Sequence, residues 1–245
     1  QNAGAAADLS TSVLERTLFH ATNSYFIPNV AVTSYCCRTH LPPNTAFRGF
    51  GGPQGMFVIE AAIAQAAREL GVPARTIQQR NLLKEGDKFP YGQIADRVLA
   101  RQAWEHADHD FNFDALGQEI DAFNAASETH VKGMAIMPIC FGISFTNTAM
   151  NHARALVHVY QDGSVGVSTG AVEMGQGVNT KMVQVAAAVF GISVSRIKLE
   201  STNTTRVANT SPSAASATAD LNGKALENAC NAILVRIKDK AARML

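Results

Sequence analysis

No stretch of this 245-residue sequence reaches the roughly 20 apolar residues that a membrane-spanning helix needs. The longest candidate, VKGMAIMPICFGISF over 131–145, is broken by lysine, proline, glycine and serine, so a membrane is not an expected partner. Neither sign of charge is in excess: 21 Lys+Arg against 20 Asp+Glu leave a formal net charge of +1. That supplies no field to attract nucleic acid or anionic lipid. Four cysteines, two of them the neighbours Cys36 and Cys37, are too few for a disulfide-stapled secreted fold and point to a reducing, cytoplasmic setting. CxxC pairs and His/Cys clusters are also missing, so any zinc or iron–sulfur centre would have to be held elsewhere. The opening QNAGAAADLS has no initiator Met, basic region or apolar core; it is no signal peptide, and it reads as the start of a piece cut from something longer.

What is present is a large apolar share, 47% of residues, enough for the core of one large domain or two small ones. Ser10, Thr11 and Ser12 supply an N-cap for a helix through Val13, Leu14, Leu18 and Phe19 that ends near Asn23. Residues 25–36 read as an edge strand, or one that begins after Pro28. A loop follows over 41–52, then a helix over 53–70 opened by Pro53 and stopped by Gly71. Shorter helices are expected at 73–84, 95–107 and 113–127, together a helical insertion at about 73–128. From Gly133 the pattern turns to strands, with 154–161 and 164–172 joined by the hairpin signal Asp162-Gly163. A helix over 178–191, a strand over 195–201 and a helix over 215–245 with a bend near Gly223 complete the chain. This is an α+β class, mixed sheets with packed helices, with no repeat and no visible internal boundary.

Three loops combine small residues with polar ones: AFRGFGGPQG (46–55), EMGQG (173–177) and SPSAAS (211–216). In the first, glycines 49, 51 and 52 free N–H groups for an anion in front of a helix start, or else simply make a tight turn. Its spacing is neither a dinucleotide fingerprint nor a P-loop. In the second, Gln176 and bare amides would receive a polar ring or phosphate, or form a strand-to-helix turn with Gln176 as cap. The third would offer N–H and hydroxyl donors to an anion, or serve as an N-cap. Phe50 is unusual, because a large aromatic in a glycine loop needs a burial partner or a flat ligand. His20 reads as a core or surface histidine, Glu173 as a solvated or capping carboxylate, and Phe141 and Phe145 as core.

Five segments taken in order, NTAFRGFGGPQG (44–55), NLLKEGD (81–87), FGISFT (141–146), VEMGQGVNTKMVQVA (172–186) and TNTTRVANTSPSAASATADLNG (202–223), carry a family likeness. They resemble the molybdenum hydroxylases, the xanthine dehydrogenase and aldehyde oxidase family, in the molybdopterin-binding region. The resemblance covers essentially the whole chain and implies an internal segment of a larger region.

The resemblance implies that the backbone N–H groups of Arg48, with Gly49, and of Ala215, with Ala214, lie against the molybdenum centre. It implies that Gln176 and Gly175 contact the pterin and that Ser216 and Thr218 approach its phosphate. Phe50 and Phe145 would sandwich a flat heterocycle, one face-on and one edge-on, while Leu9, Ser12, Thr146 and Met150 line the approach. Arg16 would hydrogen-bond a substrate oxygen as negative charge develops there; read from the helix pattern alone it is a solvated surface arginine. The implied reaction hydroxylates a purine carbon, hypoxanthine and xanthine to urate, and passes two electrons to [2Fe-2S] clusters and FAD on other domains or subunits. A dimeric complete enzyme is implied. The family's general-base glutamate, in a Gly-x-Gly-Glu context, is expected beyond Leu245, and its other active-site carboxylate and its glutamine beside molybdenum before Gln1. An aldehyde oxidase or other N-heterocycle hydroxylase is the alternative within the family, set apart by an apolar residue in place of Arg16. A scaffold that kept the fold without cofactor is the alternative outside catalysis.

Overall fold

A computed structural model of the chain describes residues 6–42, 45–207, 210–214 and 217–244. It divides into two units, Gln1–Thr45 with Gly51–Phe141, and Ala46–Phe50 with Gly142–Leu245. The boundary is silent in composition because each unit builds an apolar core of the same residue types.

The first unit is helical. Helix α1 spans Ser10–Phe19. Its N-cap is Leu9, which offers no side-chain bond; Ser10 instead sits inside the helix and accepts from the Ala6 N–H at 2.7 Å. The expected Ser/Thr cap is thus not made, because the helix begins at Ser10, one residue after its cap Leu9. Helix α2, Gly52–Leu70, starts at a left-handed Gly51 with proline in its first turn and stops at a left-handed Gly71, as the helix-end rules require. Helices α3 (Ala74–Arg80), α4 (Ala100–Phe111) and α5 (Phe113–Ala126) follow. Residues 95–99 do not join α4: the Ala95 N–H donates to the Asp87 carbonyl at 2.8 Å, and the Glu85 carboxylate takes the N–H groups of Arg97 and Val98 at 3.2 and 3.0 Å. Tyr25, Ile63, Leu82 and Trp104 form one core cluster and Leu83, Phe89 and Ala95 another.

Two segments expected as strands form no ladder among the described residues. Tyr25 makes an isolated bridge to Leu82, after which 26–42 includes no strand. Residues 131–141 carry no regular element, and exposure alternates residue by residue over 135–140. Ile136 and Cys140 pack inward on the cores, while Met137 and Ile139 face out. Strand propensity fixes local extension, but a ladder needs a neighbour.

The second unit holds a three-stranded mixed sheet. Strands β1 (Ala155–Val159) and β2 (Val165–Thr169) are antiparallel, with Val157 opposite Val167. Asp162 shapes the turn between them by accepting from Ser164 N and Oγ at 2.9 and 2.7 Å. Helix α6, Val178–Phe190, crosses from β2 to strand β3, Ile197–Leu199, which pairs parallel to β2. All five residues of β2 are buried, as befits a central strand. Helix α7, Ala217–Met244, runs unbroken through Gly223, where a Cβ would meet the Met182 side chain at an ordinary 3.7 Å. Val165, Val167, Val178, Met182, Ala186, Leu226 and Cys230 form the core.

Candidate functional site

In the second unit a chain of hydrogen bonds laces three loops together. Asn151 holds both polar groups of the Phe145 backbone: its Oδ1 accepts from the N–H at 2.9 Å and its Nδ2 donates to the carbonyl at 2.8 Å. The neighbouring His152 exchanges two bonds with Ser211, its N–H donating to Ser211 Oγ at 3.0 Å and its carbonyl accepting from Ser211 N–H at 3.1 Å. Ser213 Oγ accepts from Val172 N–H at 2.9 Å, and Gln176 Nε2 donates to the Val172 carbonyl at 2.8 Å. Asn151 was given no role from sequence, and Ser211 and Ser213 were read only within a loop that offers donors to an anion or serves as an N-cap. Serines 211 and 213 stand in the SPSAAS motif, but their partners lie 59 and 41 residues away in sequence, and Asn151 carries no local signal.

Phe50 and Phe145 are both buried, with ring centroids 5.3 Å apart and planes at 85°. That spacing leaves no room for a ring between them, so a flat ligand would lie in their right-angled corner rather than in a sandwich. Phe50 itself has φ 51° and Ser144, beside Phe145, φ 67°. A bulky residue in the left-handed region costs energy that its surroundings must offset. Arg48 is exposed in the turn leading to Phe50, and Gly49 has φ 94°. Thr146 and Met150 are half-buried on the segment that Asn151 closes.

The 173–177 loop is bound by its own acid. Glu173 Oε1 accepts from Gly175 and Gly177 N–H at 2.9 and 3.0 Å, and Oε2 from Asn179 N–H at 3.0 Å. These amides, Asn179 first, hold the carboxyl below its ordinary range. The amides of Gly175 and Gly177 are therefore not bare, and the cap of this turn is Glu173 as well as Gln176. Gly175 and Gly177 have φ 93° and 76°, and nothing among the described residues lies within 4 Å of where a Cβ would be on either. Such a side-chain-free face lets a planar polar group lie on the backbone. Thr218 is buried in the first turn of α7, and its carbonyl accepts from Asn222 Nδ2 at 3.1 Å. Asn222 Oδ1 is buried with no donor among the described residues, an acceptor that a ligand N–H could use. Ala214 is half-buried; Ala215 and Ser216 lie outside the described residues.

In the first unit Leu9, Ser12, Arg16 and His20 fall on one stripe of α1 by their 3–4 spacing. Arg16 is 6% exposed, so it is no solvated surface residue. Burial lowers its guanidinium pKa, and Tyr91 opposes that shift. His20 Nδ1 donates to the Arg16 carbonyl at 2.8 Å, and burial lowers its pKa, which favours the neutral ring. Tyr91, absent from the sequence-derived site, enters because the 81–99 loop folds back. The glycines after Phe50 have a packing reason: a Cβ on Gly51 would sit 2.1 Å from Val13 O, on Gly52 2.4 Å from Phe141 Cε2, and on Gly55 2.5 Å from Thr17 O.

Comparison with known proteins bears on the family of the chain. Two models described as molybdopterin cofactor-binding domain match residues 1–82 and 106–245. The chain is 46% identical to the xanthine dehydrogenase/oxidase of Gallus gallus over 97% of its length, and 45% identical to xanthine dehydrogenase 1 of Arabidopsis thaliana over 99%. It spans 18% of the length of each of these relatives. Among solved structures, quinoline 2-oxidoreductase from Pseudomonas putida 86 aligns with a TM-score of 0.72 at 23% identity, over 91% of this chain and 30% of that one. The aldehyde oxidoreductase from Desulfovibrio desulfuricans aligns with a TM-score of 0.68 at 20% identity, over 93% and 25%. At those identities the structures speak for the fold, and the domain models and the relatives speak for the family. By its loops, its fold and its matches, the chain belongs to the molybdopterin cofactor-binding domain family of the molybdenum hydroxylases.

Proposed function

We propose that this chain is the part of a purine-hydroxylating molybdenum enzyme that holds molybdopterin and lines the substrate slot. The buried Arg16 on the Leu9–Ser12 stripe carries the purine assignment, together with the likeness to xanthine dehydrogenases. The bare faces of Gly175 and Gly177 and Asn222 Oδ1, which has no donor among the described residues, fit a planar, polar group. Gly175 and Gln176 would hold the pterin, Ser216 and Thr218 its phosphate, and the backbone of Arg48, Gly49, Ala214 and Ala215 the metal end. When bound, that group supplies molybdenum redox chemistry for hydroxylation, with electrons passing to [2Fe-2S] clusters and FAD held elsewhere.

The chain's own residues bind and orient. Phe50 and Phe145 offer a flat ring one corner, Thr146 and Met150 flank it, and Arg16 donates to a ring oxygen as negative charge gathers there. The planar fork of a guanidinium suits a carbonyl oxygen on a flat ring, which a purine offers away from its reacting carbon and a simple aldehyde does not. In the same reading 73–128 is a helical insertion, and the complete enzyme is a cytoplasmic dimer.

The test replaces Arg16 with Met in the complete enzyme and measures xanthine and a small aromatic aldehyde. Purine turnover is expected to fall by about 2–4 kcal/mol in barrier terms while the aldehyde is spared. Equal losses for both would return Arg16 to a structural role and remove the purine assignment. Protein free of stoichiometric molybdenum by mass spectrometry would instead be the scaffold.

A further inference from the structure

We infer that Glu173 is a positioning residue, whose carboxylate ties residues 175–179 into the shape that presents Gln176 and the bare faces of Gly175 and Gly177 to molybdopterin. This rests on the cofactor reading above.

The first amides of a helix have no partner within it and normally take one from the N-cap side chain. The N-cap of α6 is Gly177, which has none. Glu173 supplies the acceptor from four residues upstream, reaching Asn179 in the first turn of α6 with one oxygen and the two glycines with the other. A negative charge there also complements the helix dipole. Both glycines are left-handed and so draw on little intrinsic preference to stay ordered. The carboxylate holds the loop across both of them. Gln176 is oriented separately, by its bond to the Val172 carbonyl, and Val172 is fixed in turn by Ser213. The second N–H of the Gln176 amide is not used by that bond. With both oxygens engaged and its proton affinity reduced, Glu173 is no general base. Its action on the cofactor runs through the loop.

The experiment compares wild type, Glu173→Gln and Glu173→Asp in the purified full-length protein. It follows amide hydrogen exchange at Gly175, Gly177 and Asn179, and molybdopterin content per chain. The Gln variant keeps the size but loses the charge and presents a donor to one of the amides. Exchange at the three amides is expected to speed more than tenfold and molybdopterin content to fall at least fivefold. Exchange at Glu200, whose N–H bonds Val167 O at 2.8 Å, stays unchanged as the control for folding. The Asp variant recovers part of both losses. Unchanged exchange at the three amides, or faster exchange with undiminished molybdopterin, overturns the inference. A wild-type protein that holds no molybdopterin sinks the cofactor reading itself, which the exchange data alone would leave untouched.

Discussion

Phe50 combines a left-handed backbone with a buried ring, and Phe145 stands at a right angle to it on a backbone clamped by Asn151. Shortening Phe145 to Ala is expected to weaken binding of flat heterocycles by roughly 1–3 kcal/mol through lost stacking and area, with molybdenum content unchanged. Steady-state kinetics on purines check it, and unaltered values would return both rings to plain core packing. Asn151→Ala leaves two backbone groups of Phe145 unmet and should cost about 1–3 kcal/mol of stability, read from urea unfolding midpoints. Phe50 was legible in the sequence because a Phe among glycines is out of place, whereas Phe145 read as core and was joined to it only by the family resemblance. Asn151 was not legible, since an asparagine clamp has no motif until the chain has folded.

Among the elements, helices were the most legible and strands the least. Pro53 and Gly71 bracket α2 by their backbone chemistry alone, which is local. Residues 25–36 carry equally plain β-branched and aromatic character, yet a ladder depends on a neighbour that no local pattern specifies. Residues 95–99 were drawn into a helix that starts at Ala100, because the pull of Glu85 on the Arg97 and Val98 amides comes from twelve residues away or more. The approach of α1 to α2 rests on absent side chains. Gly55→Ala would put a Cβ 2.5 Å from the Thr17 carbonyl, force the helices apart and cost roughly 1–3 kcal/mol, visible as a lower thermal midpoint. An unchanged midpoint would mean that the helices shift freely.

At the scale of the whole molecule, each unit keeps its own core, and the second buries a thiol in it. Cys230 has no exposed surface, and burial pushes its pKa up to about 11 from an ordinary 9.0. The unfolded chain loses that proton near the lower value and the folded chain near the higher. The stabilising contribution is therefore full below pH 9 and is lost as pH climbs through 11, by roughly 3 kcal/mol in all at about 1.4 kcal/mol per unit. Urea midpoints at pH 8 and 10.5 measure it, and Cys230→Ala should flatten the difference. The exposed Cys36 and Cys37 should react with an alkylating reagent well before Cys230. Cysteine count alone reveals none of this ordering, because burial is a property of the packed unit.

The run 131–141 has a practical consequence. One face is pinned inward by Ile136 and Cys140, the other shows Val131, Met137 and Ile139, and its backbone is held by the side chains of Asn23, Gln78 and Asn124 with no strand beside it among the described residues. Apolar side chains facing outward from a stretch with no strand partner are what association between chains uses. The 245-residue chain handled alone should therefore lose solubility steeply with concentration, and a single gatekeeping charge, Met137→Lys, should restore it without touching the inward face. Light scattering against concentration for the two chains would show whether the colloidal behaviour of this domain is set by so short a stretch.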